Sequence, residues 1–199
     1  MSARSLIQFE KTEDLAAWYD QKYTEMGGGW SCPPEESNRL LDWAGIEVDK
    51  KKILLDIGCG EGHFWEEASK RVFAMGIDIS EVILKKAYSR YPAQLGKFTF
   101  QKVNIENTVF TSGHFDYLTS IGSIEHVINL DAALDECYRI LNPKGKFLCL
   151  VPNELWPHMD QPQEQTHTDE GWTAIFKKAG FKIEKFNRRS DLTDFLLTK

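Results

Sequence analysis

The 199-residue chain lacks the features that mark secreted, membrane-spanning and metal-ribbon proteins. Its four cysteines, Cys32, Cys59, Cys137 and Cys149, form no CxxC pair, which excludes a zinc ribbon or a thioredoxin-type motif and leaves buried, reduced thiols as the expectation. No run of about 18 apolar residues is present, and the opening MSARSLIQFEKTEDLAAWYD has no apolar leader core, so a soluble, cytoplasmic protein with no membrane partner is expected. Positive charge is scarce: 24 Lys and Arg against 30 Asp and Glu leave a net charge of -6. No basic run could follow a phosphate backbone, which points away from nucleic acid and toward a small molecule or a protein as partner. Internal repeats, low-complexity tracts and linkers are also missing. With 42% hydrophobic residues, the length suits one domain with one sizeable core, as a monomer or homodimer.

What is present is an alternation. KKILLDIG (51 to 58), RVFAMGIDI (71 to 79) and KFTFQKVNI (97 to 105) recur every 20 to 25 residues with helical patterns between them, as parallel βαβ units require. FDYLTSIG (115 to 122) and GKFLCLVP (145 to 152) follow, separated by a helix with Leu134, Cys137, Tyr138 and Leu141 on one face and stopped by the Asn142 to Gly145 turn. Ser80 is placed to cap the helix bearing Ile83 and Ala87, and Thr168 or Asp169 the one bearing Trp172, Ile175 and Phe176, with Gly180 as its left-handed stop. The tail reads as two strands joined by a turn at 188 to 191, and so short a connection makes an antiparallel pair. Ahead of the strands, a helix over about 14 to 26 is separated from one starting near Pro33 or Pro34 by Gly27-Gly28-Gly29, a candidate hinge.

The most informative segment is Leu54-Leu55-Asp56-Ile57-Gly58-Cys59-Gly60-Glu61-Gly62, an apolar strand running into three alternate glycines and then a helix. Glycine lets the backbone turn tightly with a ligand against it. Twenty residues beyond Gly58, the second strand ends in Asp78, whose carboxylate can accept from both hydroxyls of a ribose. A glycine loop plus an acid at this offset indicates a nucleoside cofactor, a description that NAD-dependent oxidoreductases share. Their GxGxxG pattern places a third glycine at 63, where this chain has His63.

Asp56-Ile57-Gly58-Cys59-Gly60-Glu61-Gly62 resembles the DxGxGxG motif of class I S-adenosylmethionine-dependent methyltransferases, in particular the broad type 11 group. The likeness extends through Gly76-Ile77-Asp78-Ile79-Ser80, Phe115-Asp116-Tyr117, Ser123-Ile124-Glu125-His126-Val127 and 138 to 145, departing at Lys146 where a second glycine is common. It implies a Rossmann-like α/β three-layer sandwich on a seven-stranded, mostly parallel sheet with an antiparallel C-terminal hairpin strand. It implies S-adenosyl-L-methionine as cofactor, with Gly58, Cys59, Gly60 and Gly62 forming the loop around the methionine moiety and Asp56 below its amino group. Asp78 and Ile79 would meet the ribose, Asn104, Ile105 and Glu106 the adenine, and Ile121 and Gly122 the methionine end. Cys59 carries no chemistry in this reading.

The expected division is an N-terminal helical lid or cap (1 to 49), a cofactor-binding core (50 to 152), and a substrate loop, helix and hairpin (153 to 199). Trp18, Tyr19, Tyr23 and Trp30 belong to the cap, either as a lid over the cofactor or as an aromatic stripe packed on the sheet. The loop after the fifth strand holds His158 and His167, candidate general bases beside His126 at a helix start after the fourth strand. The spacing of His158 and His167 matches no familiar ligand pattern, and no metal is expected. The acceptor motifs of base-modifying enzymes, Asn/Asp-Pro-Pro-aromatic and Pro-Cys, are missing, which leaves a small-molecule methyl acceptor as the expectation. A non-catalytic cofactor-binding or partner protein of the same fold stays open as the alternative, and an NAD-dependent oxidoreductase behind it.

Overall fold

The computed structural model describes residues 3–4, 7–91, 99–157 and 160–199. In chain order it contains β1 (Ala3–Arg4), α1 (Thr12–Met26), α2 (Pro34–Trp43), β2 (Ile53–Ile57), α3 (His63–Arg71), β3 (Phe73–Asp78), α4 (Glu81–Arg90), β4 (Phe100–Lys102) and β5 (Phe115–Ile121). After a short 3₁₀ turn (Ile124–His126) come α5 (Leu130–Ile140), β6 (Leu141–Pro152), β7 (Gln165–Thr166), α6 (Asp169–Lys178), β8 (Lys182–Arg188) and β9 (Leu192–Thr198).

Successive strand side chains point to opposite faces, so buried pairs such as Leu54 and Leu55, Ala74 and Met75, or Phe147 and Leu148 feed two separate cores. Leu54, Ala74, Leu148 and Leu196 pack with α1 to α4, while Leu55, Met75, Phe147 and Leu197 pack with α5 and α6. This is the expected three-layer sandwich. The seven strands lie in the order β4-β3-β2-β5-β6-β9-β8, with β9 antiparallel to both of its neighbours and the other pairings parallel. β1 and β7 form a separate antiparallel pair. Among the described residues no helix is long and apolar enough to cross a membrane.

The local signals act as read. Ser80 Oγ accepts from Ile83 N and Thr168 Oγ1 from Gly171 N, capping α4 and α6, and Gly180 stands at φ +95° behind α6. Three expectations need correcting. The third strand is confined to Phe100–Lys102, because Asn104 turns the chain by accepting Glu106 N on Oδ1; residues 97 and 98 of the expected span lie outside the described residues. The fifth strand begins at Leu141, opposite Phe115, and its register then jumps to Lys146 opposite Tyr117, so the Asn142 to Gly145 turn is a bulge within the strand. His126 stands not at a helix start but in the 3₁₀ turn, since Asn129 caps α5 four residues further on.

Candidate active site

β2 leads outward to β3 and β4 on one side, and β5 leads to β6 on the other, so the chain changes direction between β2 and β5. Open α/β sheets bind ligands at the carboxyl ends of the strands where this happens. Gly58 and Gly122 follow those two strand ends, and both line a two-lobed crevice. The two lobes have cavity volumes of about 100 and 320 Å³ and meet at Gly58 and Gly122.

The glycine loop is fixed by close packing. Gly58 has φ +67°, and a Cβ built there falls 1.9 Å from Ser123 Oγ, so the loop after β2 is pressed against the turn after β5. Gly62 takes φ +83° ahead of α3, where a Cβ would come within 2.9 Å of Tyr91 and 3.0 Å of Phe100; it does not itself line either lobe. Gly60 N donates to Asp78 Oδ2 (3.1 Å) and Ser80 N to Asp78 Oδ1 (2.9 Å), which orients the Asp78 carboxylate at the end of β3. Burial pushes the Asp78 carboxyl up to about 6 against these hydrogen bonds.

The first lobe gathers Gly58, Asp78, Ile79, Asn104, Ile105, Glu106 and Gly122. Asn104 is held by donating Nδ2 to Thr12 Oγ1 (2.9 Å), and Glu106 Oε1 accepts Ile128 N (2.8 Å), so each also braces the loop it stands on. Thr12, Leu15, Tyr19 and Tyr23 of α1 line the same lobe, and Tyr19 stacks on Tyr23 with ring centroids 5.6 Å apart. Asp20 ties α1 down by accepting Ser80 Oγ (2.5 Å) and Val82 N (3.1 Å) on Oδ1. The N-terminal aromatics thus wall the crevice while packed against the domain.

The second lobe is lined by Asp56, Cys59, Gly60, Ile121, Glu125, His126, Trp156 and Glu164, among others. Asp56 Oδ1 accepts from Thr119 Oγ1 (2.8 Å), whereas its buried Oδ2 has no hydrogen-bond partner. Burial, with some repulsion from Asp78, raises its carboxyl to about 7. Cys59 is buried and its thiol is pushed well up by desolvation, as expected of a packing residue. His126 Nδ1 lies 3.2 Å from the Pro162 carbonyl, which can only accept, so the proton sits on Nδ1 and Nε2 keeps the lone pair. Burial lowers its pKa to about 4, and it is neutral at pH 7.

Of the other two candidate bases, His158 lies outside the described residues. His167 stands apart from the crevice, with its ring 4.7 Å from Trp172 and beside a shallow depression that includes Asn129 and Asp131. Glu125 and Glu164, to which sequence reading gave no role, line the second lobe together with Trp156 of the expected substrate loop, and Trp156 Nε1 donates to Glu164 Oε1 (3.0 Å). The neighbourhood of Glu125 and His126 after the fourth strand was the one signal available for them.

The donor set suits S-adenosylmethionine. Buried Asp56 carries an unsatisfied carboxylate oxygen that an ammonium would pair, Asp78 presents an oriented carboxylate for vicinal hydroxyls, and the first lobe has no Lys or Arg among its described lining residues, as a phosphate-free cationic ligand favours. Residues 55–149 match the family model described as a methyltransferase domain. The chain is 34% identical over 107 residues to a ubiquinone/menaquinone biosynthesis C-methyltransferase of Rickettsia typhi, covering 49% of this chain and 43% of that one. It is 30% identical over 150 residues to a ubiquinone biosynthesis O-methyltransferase of Coxiella burnetii, covering 73% and 62%. The chain spans about half the length of the curated relatives it matches. A structural match, phosphoethanolamine N-methyltransferase 2 of Haemonchus contortus in complex with S-adenosyl-L-methionine, superposes with TM-score 0.73 at 19% identity, covering 83% of this chain and 52% of that one, and speaks for the fold. On the motif, the sheet order and the family match together, residues 55–149 form a methyltransferase domain, and the chain is similar to S-adenosylmethionine-dependent methyltransferases.

Proposed function

We propose that this chain methylates a small-molecule acceptor, with the first lobe of the crevice holding the nucleoside of S-adenosylmethionine and the second holding the methionine end and the acceptor. The observation that carries the reading is the pair of buried carboxylates on either side of the glycine loop, Asp78 opening on the first lobe and Asp56 on the second. When bound, S-adenosylmethionine supplies an electrophilic methyl group on a sulfonium sulfur.

The chain's own contribution is placement. Asp78 would grip the ribose hydroxyls, Asn104 and Glu106 would border the adenine, and Asp56 would anchor the amino group. Gly122, shared by both lobes, marks the junction where donor and acceptor would meet. Tyr19, Tyr23 and Trp30 would close the crevice as a cap and exclude water, and holding two reactants in line in a dry site replaces a large bimolecular entropy cost.

Titration calorimetry with S-adenosylhomocysteine tests the reading: micromolar binding is expected and no binding at millimolar ligand overturns it. Release of S-adenosylhomocysteine from the donor in the presence of an acceptor then separates an enzyme from a protein that only binds the cofactor.

A further inference from the structure

The second lobe has a charge pattern that selects among acceptors. Among the described residues, Asp56, Glu125, Glu164 and Glu36 line it with one Lys or Arg side chain, Arg189. That guanidinium is already committed, with Nη2 2.6 Å from Glu36 Oε1 and 2.5 Å from Asp194 Oδ1. Glu125 has no such partner. It is 3% exposed, it stands in the turn immediately after Gly122, and its Oε2 makes no hydrogen bond. Its Oε1 lies 3.7 Å from the position of a Cβ on Gly122 and 3.7 Å from His126 Nε2, and that imidazole is neutral. Among the described residues, the other ionisable groups facing Glu125 are Glu164 from the loop before β7, Tyr19 from α1 and Cys149 from β6. None of them is a cation. A buried carboxylate with no counter-ion takes either a proton or a cationic ligand. Tyr23, Trp30 and Trp156 add aromatic faces to the same lobe, and such faces attract ammonium groups and flat apolar bodies alike.

We propose that the methyl acceptor is an amine with an apolar or aromatic body, its nitrogen held between Glu125 and Glu164 beside Gly122, with Glu125 as the general base that frees the nitrogen lone pair. This deepens the methyl-transfer reading above and rests on it. In the step, an N–H bond of the ammonium breaks and its proton passes to the Glu125 carboxylate. The nitrogen lone pair forms the new C–N bond while the C–S bond of the donor breaks and sulfur keeps the electron pair. The product leaves as a methylated ammonium and Glu125 returns its proton to water, so one proton is released per turnover. Burial raises the Glu125 carboxyl to about 8, which brings it closer to an ammonium than an ordinary carboxylate stands and eases that transfer. An anionic acceptor would meet uncompensated negative charge in the same place.

The test uses protein saturated with S-adenosylhomocysteine and three probes of one size, phenethylamine, p-cresol and phenylacetate, read by calorimetry, followed by turnover with S-adenosylmethionine. Phenethylamine is expected to bind at least about tenfold tighter than the other two and to be the one methylated. Glu125→Gln is expected to weaken phenethylamine binding about tenfold and turnover about 100-fold, with S-adenosylhomocysteine affinity changed less than about threefold. Its rising pH limb in kcat/KM should move toward that of the free amine. Glu164→Gln, which keeps an acceptor for Trp156, should weaken amine binding about threefold or more, and together with the wild-type probe ranking it carries the test if Glu125→Gln does not fold. Equal binding of the three probes, preference for p-cresol or phenylacetate, no methylation of phenethylamine, or unchanged amine binding and turnover in the variants overturns the amine assignment while methyl transfer stands. Failure of the wild-type protein to bind S-adenosylhomocysteine overturns methyl transfer itself.

Discussion

The two lobes of the crevice are built in different ways. The first is made of strand ends, 57–58, 77–79, 103–106 and 122–123, roofed by α1, and its loops are fixed by backbone hydrogen bonds to Asp78, Asn104 and Glu106. The second is made of residues brought from 23–36, 56–64, 121–126, 150–156, 161–164 and 189–192, and among the described residues Asp56 Oδ2 and Glu125 Oε2 make no hydrogen bond there. A cofactor shared across a family can be held by the way the chain leaves its strands. Choice of acceptor rests on side chains that the same fold leaves free to vary.

The sharpest way to break this contrast is to damage the backbone side alone. Gly58→Ala drives a methyl group into Ser123 at a left-handed backbone position. It should cost about 3 kcal/mol or more of unfolding free energy, read by chemical denaturation, and lower S-adenosylhomocysteine affinity at least about 100-fold by calorimetry. Asp78→Ala comes next. It removes the acceptor of Gly60 N and Ser80 N as well as the proposed ribose contact, so affinity should fall about 30- to 100-fold while the protein still folds.

Asp56→Asn sharpens the contrast from the other lobe. A carboxyl raised to about 7 in the folded chain binds its proton more tightly there than in the unfolded chain, so ionising it removes stability as pH rises through that range. Glu125, at about 8, acts with the same sign, and His126, held near 4, is neutral in both states above about pH 6.5. The cofactor-free protein should therefore lose about 1 to 2 kcal/mol between pH 6.5 and pH 8 in denaturant melts. Asp56→Asn should return about 1 kcal/mol of that at pH 8 and weaken S-adenosylhomocysteine binding about tenfold. The smallest effect belongs to Ser80→Ala, which removes the cap of α4 and its tie to Asp20. A loss of about 1 to 2 kcal/mol, with amine preference unchanged, is expected from melts and probe binding.

The same contrast explains what the sequence made legible. The βαβ alternation, the α4 and α6 caps, the antiparallel tail and the glycine loop with Asp78 are all local signals, spread over a few residues and governed by backbone chemistry. Those features appear in the structure where they were read. The Asn104 turn shortened a strand because one side-chain hydrogen bond outweighed a run of β-favouring residues. The 3₁₀ turn at Ile124–His126 and the bulge after Leu141 depend on register against neighbouring strands, which no short window contains. Among the histidines, His167 is placed by β7 and α6 outside the crevice, a position that depends on long-range packing and not on its sequence neighbours. Glu125 looked unremarkable beside its neighbour. The burial of its Oε2 without a hydrogen bond arises where the turn after β5 meets Leu150 of β6, Trp156 and Glu164.

A small seam, buried along its later strand, joins the two lobes. Ala3 and Arg4 pair with Thr166 and Gln165, while Gln163, at φ +61°, donates its backbone N to Ile7 O (2.9 Å) and its side-chain Nε2 to Phe9 O (2.6 Å). The early strand of this seam runs on into the roof of the nucleoside lobe, and the late strand continues the loop bearing Glu164. Unzipping it would loosen both walls together, which would couple any opening of the nucleoside lobe to an opening of the second lobe.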